Sequence, residues 1–134
     1  MIVLMDSGPL GRLVEGDRLF QARLRRAHRQ GHTFEVPPAV RAEMFAAAWK
    51  DRTLRTRLQQ VLAAYGGDST SIEEGSHAGE LLARVPKDRG DVSLVDALVA
   101  AAAHRRKAAV LTDDSRDFAR LRAAGARHMV MLSF

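Results

Sequence analysis

The stretch AAVLTDDSRDF, residues 108–118, sets the interpretation of this chain. Four apolar residues are followed by a threonine and by three aspartates within five positions, Asp113, Asp114 and Asp117. A short apolar run without alternation is typical of a strand buried on both faces of a parallel sheet. The acids lie just past the end of that strand, where open α/β sheets bind ligands. They either decorate a turn and a helix start or belong to a site that needs a cation.

The remaining chain alternates between similar apolar runs and helical patterns. Further buried strands are expected at residues 1–5, 33–36 and 129–132, with an edge strand near 69–72. Apolar residues at helical spacing predict helices at residues 17–30, 38–49, 51–65, about 73–85, 93–106 and 115–124. Another helix is expected after Asp6-Ser7, and a loop at 86–90. This alternation predicts a single α/β domain over residues 1–134, a sandwich with a mainly parallel sheet.

Composition narrows the class of protein. The 134 residues carry 21 Lys and Arg against 16 Asp and Glu, a formal net charge of +5. This excess favours a polyanionic partner such as nucleic acid, although arginine richness also follows genome composition. The absence of cysteine excludes disulfides and thiolate metal sites. The apolar run at residues 1–5 is too short for a signal segment or a membrane span, so we expect a cytoplasmic protein without membrane contact.

Two of the acids follow strand ends directly. Asp6 comes after the first strand, and the pair Asp113-Asp114 comes after residues 108–111. Taken singly, Asp6 and Asp114 each precede a serine and a helix, so either one could be an ordinary helix N-cap.

Glu43 and Asp96 are less easily explained as surface acids. Glu43 shares a predicted helix face with Val40 and Ala47, which predicts a carboxylate along the apolar stripe. Such a group must be paired, protonated or bound to a metal, and an arginine salt bridge would satisfy it. Asp96 is the only polar residue between residues 94 and 103, although Ser93 and Asp96 also fit a capping box.

Asp6, Glu43, Asp96 and Asp114 come from four distant segments and could meet at one edge of the sheet. Carboxylates packed together repel, so such a cluster requires a cation. Ligation by oxygen alone selects Mg²⁺ or Mn²⁺. These ions activate water and stabilise the leaving oxygen in phosphodiester hydrolysis. The sequence therefore predicts a metal site beside a basic surface that suits a nucleic-acid backbone.

The same motifs carry a resemblance to a known family. The chain resembles PIN-domain proteins, specifically the VapC-like ribonuclease toxins of bacterial toxin–antitoxin pairs. The matching elements are the strand ending in Asp6-Ser7, the segment Val40–Glu43, Asp96 opening a small-residue helix, and TDDSRDF at 112–118. That last stretch is similar to the family's T-x-N/D-x-x-D-F motif. Gly8-Pro9 departs from many relatives, which continue with a plain apolar helix.

The resemblance implies a three-layer α/β/α sandwich, Mg²⁺ or Mn²⁺ at the acid cluster and endonucleolytic cleavage of RNA. Asp6, Glu43, Asp96 and Asp114 would be the metal-binding, catalytic acids. Thr112 would orient a ligand or a water, and Asp117 would be an auxiliary acid. A cognate antitoxin and a homodimer are the further partners implied. We expect Asp113 to face away from the site and Asp91 to be solvated surface.

Two alternatives use the same residues differently. A non-catalytic PIN-like module would bind RNA or protein while its acid cluster is structural. A phosphoryl-transfer receiver domain would also carry acids at strand ends. That alternative fits poorly because the paired acids come late in the chain and Lys107 precedes its strand.

Overall fold

The computed structural model describes the whole chain, residues 1–134, and has a four-stranded sheet at its centre. The strands are β1 (Ile2–Met5), β2 (Thr33–Glu35), β3 (Ala109–Leu111) and β4 (Val130–Leu132). Their order is β2-β1-β3-β4, and every pairing between them is parallel. Each strand lies within a predicted segment, so the prediction of a mainly parallel sheet is confirmed.

Seven α-helices connect these strands. They are α1 (Ser7–Glu15), α2 (Arg18–Arg29), α3 (Pro38–Ala48), α4 (Arg52–Leu62), α5 (Ile72–Arg84), α6 (Leu94–Arg106) and α7 (Ser115–Ala124). Crossovers between parallel strands are right-handed almost without exception. The first crossover runs from β1 to β2, in one direction along the sheet. The crossovers from β2 to β3 and from β3 to β4 run in the opposite direction. Helices α1 and α2 therefore cover one face of the sheet and α6 and α7 the other, which confirms the α/β/α sandwich.

Side-chain caps set where five of the helices begin. In each case the capping oxygen accepts a hydrogen bond from the amide three residues later, which otherwise has no partner in the helix. The five capping residues are Asp17, Asp51, Ser71, Ser93 and Asp114. Helix α3 begins instead with a proline at its first position, which suits that position because proline lacks an amide hydrogen.

The structure corrects the sequence analysis between α4 and α5. The edge strand expected near residues 69–72 is wrong, because Ser71 caps α5 and Ile72 is its first residue. Pairing beyond β2 is limited to a single bridge between Glu35 and Gly66. Helix α4 ends at Leu62, three residues before the predicted end.

The central strands β1 and β3 form the floor of the core. Val3, Leu4 and Met5 are at most 1% exposed, and so are the three residues of β3. The chain leaves β1 towards β2 and leaves β3 towards β4, so a topological switch point lies between β1 and β3. Ligands of open α/β sheets bind at such a point, beyond the carboxyl ends of the strands. None of the helices combines the length and apolarity needed to span a membrane.

Candidate metal centre

An open acidic cleft lies at the carboxyl ends of β1 and β3. Its volume is about 340 Å³, and no hydrophobic residue lines it. The lining residues are Asp6, Ser7, Gly8, Glu43, Ser93, Asp96, Asp113 and Asp114. All four predicted metal-binding acids are among them. They reach the cleft from β1, α3, α6 and the β3–α7 turn, so the convergence expected from the strand ends is present in the fold.

Asp6 is the most buried acid of the cleft, with only 5% of its surface exposed. It stands at the N-cap position of α1, but its side chain makes no capping hydrogen bond. Its Oδ2 accepts a hydrogen bond of 2.8 Å from the Thr112 hydroxyl, while Oδ1 is buried and has no hydrogen-bond partner. An unpartnered buried carboxylate oxygen costs free energy, so this atom requires an explanation beyond helix capping.

The Thr112 hydroxyl connects two of the acids. It accepts a hydrogen bond of 2.8 Å from the Asp114 amide and donates its own proton to Asp6. Thr112 is 1% exposed, so neither bond competes with water. Burial raises the pKa of Asp6 above its usual value, the Thr112 hydroxyl and the adjacent Ser7 backbone amide oppose this, and the charges of Glu43 and Asp114 raise it further.

Among the acids of the cleft, Asp96 has the most strongly raised pKa. Burial, together with the negative charges of Asp6, Asp114, Asp117 and Glu43, raises its pKa to about 7. The Ser93 half of the capping box is present, since the Ser93 hydroxyl accepts the Asp96 amide at 3.0 Å. The capping interpretation therefore accounts for the serine, while the Asp96 carboxylate is left among other acids.

Asp114 both caps a helix and lines the cleft. Its Oδ1 accepts a hydrogen bond of 3.3 Å from the Asp117 amide at the start of α7. One carboxylate oxygen from each of Asp96, Asp114 and Asp117 lies within 4.8 Å of the others. Asp117, expected only as an auxiliary acid, thus belongs to the tightest group, while Asp6 and Glu43 lie outside it.

Asp117 is held in place by Arg120. The guanidinium donates to Asp117 Oδ1 at 3.3 Å and to the carbonyl oxygens of Pro86 and Gly90 at 2.7 Å each. Arg120 therefore ties the acid group to the loop that precedes α6. No local sequence pattern indicates this role, because the two carbonyls lie 34 and 30 residues away along the chain.

The structure corrects the environment predicted for Glu43. Its side chain is exposed at the mouth of the cleft, whereas Val40 and Ala48 form the buried face of α3. No arginine pairs with it, and the nearby Arg41 is bonded to the carbonyl oxygens of Val36 and Tyr65. The expected place along the apolar stripe is wrong, because Val40, Met44 and Ala48 form the contact face of α3 and residue 43 lies beside it.

Asp113 lines the cleft and forms an ion pair at its rim. Its Oδ1 lies 2.6 Å from Nη2 of Arg12, and both side chains are more than a third exposed. The expectation that Asp113 faces away holds only in part, since the residue borders the cavity while its charge is directed to Arg12. Arg12 was missed in the sequence, where 101 residues separate it from Asp113.

The residues present fit a divalent cation with oxygen ligands. All the charged side chains that line the cleft are carboxylates, and neither a thiolate nor an imidazole is available there as a ligand. The buried Oδ1 of Asp6 accepts no well-formed hydrogen bond, and the carboxylates of Asp96, Asp114 and Asp117 lie close together. Both features would be relieved by a bound cation.

Comparisons with known proteins agree with the geometry. The family model described as PIN domain matches residues 3–124. Among solved structures, VapBC2 of Rickettsia felis, bound to a DNA fragment from its promoter, has a chain with a TM-score of 0.82 at 16% identity. That match covers 100% of this chain and 99% of the other.

Two further structures have the same fold. The chain from VapBC-1 of nontypeable Haemophilus influenzae gives a TM-score of 0.77 at 13% identity, and that from DNA-bound VapBC of Salmonella typhimurium gives 0.77 at 15%. Each match covers 99% of this chain and 98% of the other. No curated protein matches the chain significantly in sequence. Because the family model covers nearly the whole chain, this protein belongs to the PIN-domain family.

Proposed function

We propose that this PIN-domain chain is a metal-dependent endoribonuclease that hydrolyses RNA phosphodiester bonds, and that it is the toxin of a toxin–antitoxin pair. The observation that carries the proposal is the buried, unpartnered Oδ1 of Asp6 in a cleft lined with carboxylates. If the cluster were structural, its acids would be paired with arginine or lysine side chains. Most of the acids in the cleft have no such partner.

Mg²⁺ or Mn²⁺ would be held by Asp6, Glu43, Asp96 and Asp114. When bound, such an ion supplies an activated water and stabilises negative charge on the phosphate oxygens. The nearness of Asp117 to Asp96 and Asp114 supports a role for Asp117 beside these ligands, directly or through water.

The chain's own residues orient this site. Thr112 accepts the Asp114 amide, so its hydroxyl proton is directed to Asp6 and fixes the rotation of that carboxylate. Arg120 holds Asp117 by donating a charge-assisted hydrogen bond to its Oδ1. Asp96, with a pKa near 7, is a group that exchanges a proton near neutral pH when no cation is present. Prepositioned acids reduce the reorganisation that the reaction requires.

The distribution of positive charge supports a polyanionic substrate. Helix α2 carries five arginines and no acid, and the rest of the chain has equal numbers of acidic and basic residues. The net charge of +5 therefore resides on α2. Binding of a phosphate backbone to such a surface is strongly salt-dependent.

A wide groove beside α2 supports an antitoxin partner. This groove of about 700 Å³ lies between α2, β2 and the end of α4, with an apolar floor that includes Leu24, Phe34 and Tyr65. Arg25 and Arg29 line its rim. A partner segment with large apolar side chains flanked by acids would complement both features. We further propose that the toxin acts as a homodimer, as the family resemblance implies.

The function is tested by incubating a mixed labelled RNA pool with Mn²⁺, with Mg²⁺ and with EDTA. Asp96→Asn serves as the matched variant, because it keeps the shape of the side chain and removes its charge. Metal-dependent cutting by the wild-type protein alone would support the nuclease. Equal cutting by both proteins would contradict the assigned site. RNA binding without cutting by a folded wild-type protein would favour the non-catalytic module instead.

A further inference from the structure

One carboxylate of the cleft differs from the others in having a cation beside it. Asp113 borders the cavity with Asp6, Glu43, Asp96 and Asp114, and it alone among these five is paired with an arginine. The distance of 2.6 Å between Arg12 Nη2 and Asp113 Oδ1 makes this a direct, charge-assisted hydrogen bond.

The Asp113 carboxylate packs against the backbone of α1 at Gly8. A Cβ at Gly8 would lie 2.8 Å from Asp113 Oδ2 and 3.4 Å from its Cβ, so the side chain of Asp113 rests against a bare glycine. Gly8 is not among the glycines with positive φ, so its backbone conformation does not require glycine. A larger residue at position 8 would therefore force the Asp113 side chain to shift.

Arg12 is itself fixed on the scaffold. It follows Gly8 by one helical turn, so both residues lie on the same side of α1. Its Nη1 lies 3.4 Å from the carbonyl oxygen of Phe134, and its guanidinium lies 5.4 Å from the centre of the Phe20 ring. These contacts hold the positive charge at the rim of the cleft.

We propose that Arg12 is a positioning residue of the metal centre, one that anchors Asp113 on α1 and offsets its charge. The inference rests on the proposed metal site. With Arg12 present, the Asp113 charge is balanced and the cation is attracted mainly by the remaining acids. Without Arg12, the cleft gains one uncompensated negative charge, and a divalent cation is attracted more strongly.

The two halves of the ion pair are therefore expected to act in opposite directions. Arg12→Gln should lower the Kd for Mn²⁺ by about threefold to tenfold at low ionic strength, and Asp113→Asn should raise it by a similar factor. The double variant should return to within about twofold of wild type, because its net charge is unchanged. Arg12→Lys keeps the charge and should also bind Mn²⁺ nearly as wild type does.

The experiment is a titration of the metal-free chain with Mn²⁺, in which electron paramagnetic resonance measures the free ion. Arg26→Gln is the matched control. It removes the same charge from an exposed position on α2, whose end lies at the amino-terminal edge of the sheet. Repeating the titration in high salt should shrink the shifts, since both partners of the pair are partly exposed. Thermal unfolding verifies that each variant is folded.

Opposite shifts that cancel in the double variant would support the inference. Shifts of the same sign, or none beyond those of Arg26→Gln, would overturn it while the proposed function stands, because a merely structural salt bridge moves stability and not metal affinity. If the folded wild-type chain binds no Mn²⁺, the proposed function fails and this inference fails with it.

Discussion

Asp6 and Glu35 lie at the ends of neighbouring parallel strands and have opposite electrostatic surroundings. Glu35 is the last residue of β2 and pairs with Leu4 of β1. Asp6 follows β1 directly. Glu35 accepts hydrogen bonds from both terminal nitrogens of Arg106, at 3.3 and 2.9 Å. Asp6 has a hydroxyl on one oxygen and no partner on the other. The comparison separates acids that hold the fold together from acids available to a ligand.

Glu74 follows the pattern of Glu35. It is only 4% exposed, and its Oε1 lies 2.8 Å from Nη1 of Arg105. Arg106 also approaches Asp68 at 3.9 Å. Two arginines at the end of α6 are thus neutralised by three acids outside the cleft, Glu35, Asp68 and Glu74. Arginine is therefore abundant near buried acids elsewhere in the fold, while Asp6 and Asp96 have no arginine partner.

The largest expected effect comes from changing Asp6 to asparagine. The substitution keeps an acceptor for Thr112 and removes the charge that would hold a cation, so RNA cleavage should fall at least about a hundredfold. The free energy of unfolding without metal should stay equal or rise by about 1 kcal/mol, because a buried charge is lost. Cleavage rates and urea denaturation measure the two effects. Full activity in the Asp6→Asn variant would remove Asp6 from the site.

Thr112→Val is expected to have an intermediate effect on the rate of RNA cleavage and on the free energy of unfolding. The variant leaves the Asp114 amide and Asp6 Oδ2 without their shared partner, so we expect about tenfold slower cleavage and a loss of about 1–2 kcal/mol in stability. Thr112→Ser keeps the hydroxyl and serves as the control. If valine and serine variants cleave equally fast, the hydroxyl does not orient the acids.

Glu35→Gln is the matched counterpart of Asp6→Asn in the paired region. Arg106 would lose its nearer charged partner, in a pair whose side chains are both at most 20% exposed, and would keep only the more distant Asp68. The free energy of unfolding should therefore fall by about 1–3 kcal/mol. Cleavage by the folded variant should stay within about twofold of wild type. A loss of activity comparable to that of Asp6→Asn would break the distinction between the two kinds of acid.

The smallest effect concerns pH. Because the pKa of Asp96 is raised to about 7 in the folded chain, the folded state holds a proton that the unfolded state releases near pH 4. The stabilising contribution is thus complete below pH 4 and is lost as pH rises towards and through 7. Melting temperatures in EDTA between pH 5 and 8 should decline less in Asp96→Asn than in wild type. Equal declines would contradict the raised pKa.

Local sequence patterns were sufficient to predict much of the fold and part of the site. The apolar runs predicted all four strands, and acids directly after β1 and β3 predicted where Asp6 and Asp114 meet. These inferences succeed because strand burial, helix caps and the common edge of parallel strands depend on residues adjacent in sequence. Residues 69–72 were misassigned because a serine cap at Ser71 starts a helix in a segment whose composition also suits a strand.

The tertiary structure decided which acids have partners. Arg106 reaches Glu35 across 71 residues and Arg12 reaches Asp113 across 101, so no local pattern distinguishes these acids from Asp6. The exposure of Glu43 likewise depends on which face of α3 packs against the fold. The sequence by itself determined the four strands, most of the helices and the edge of the sheet where carboxylates gather. Charge compensation was decided by the folded chain alone, because electrostatic interactions depend on distance in space and not along the sequence.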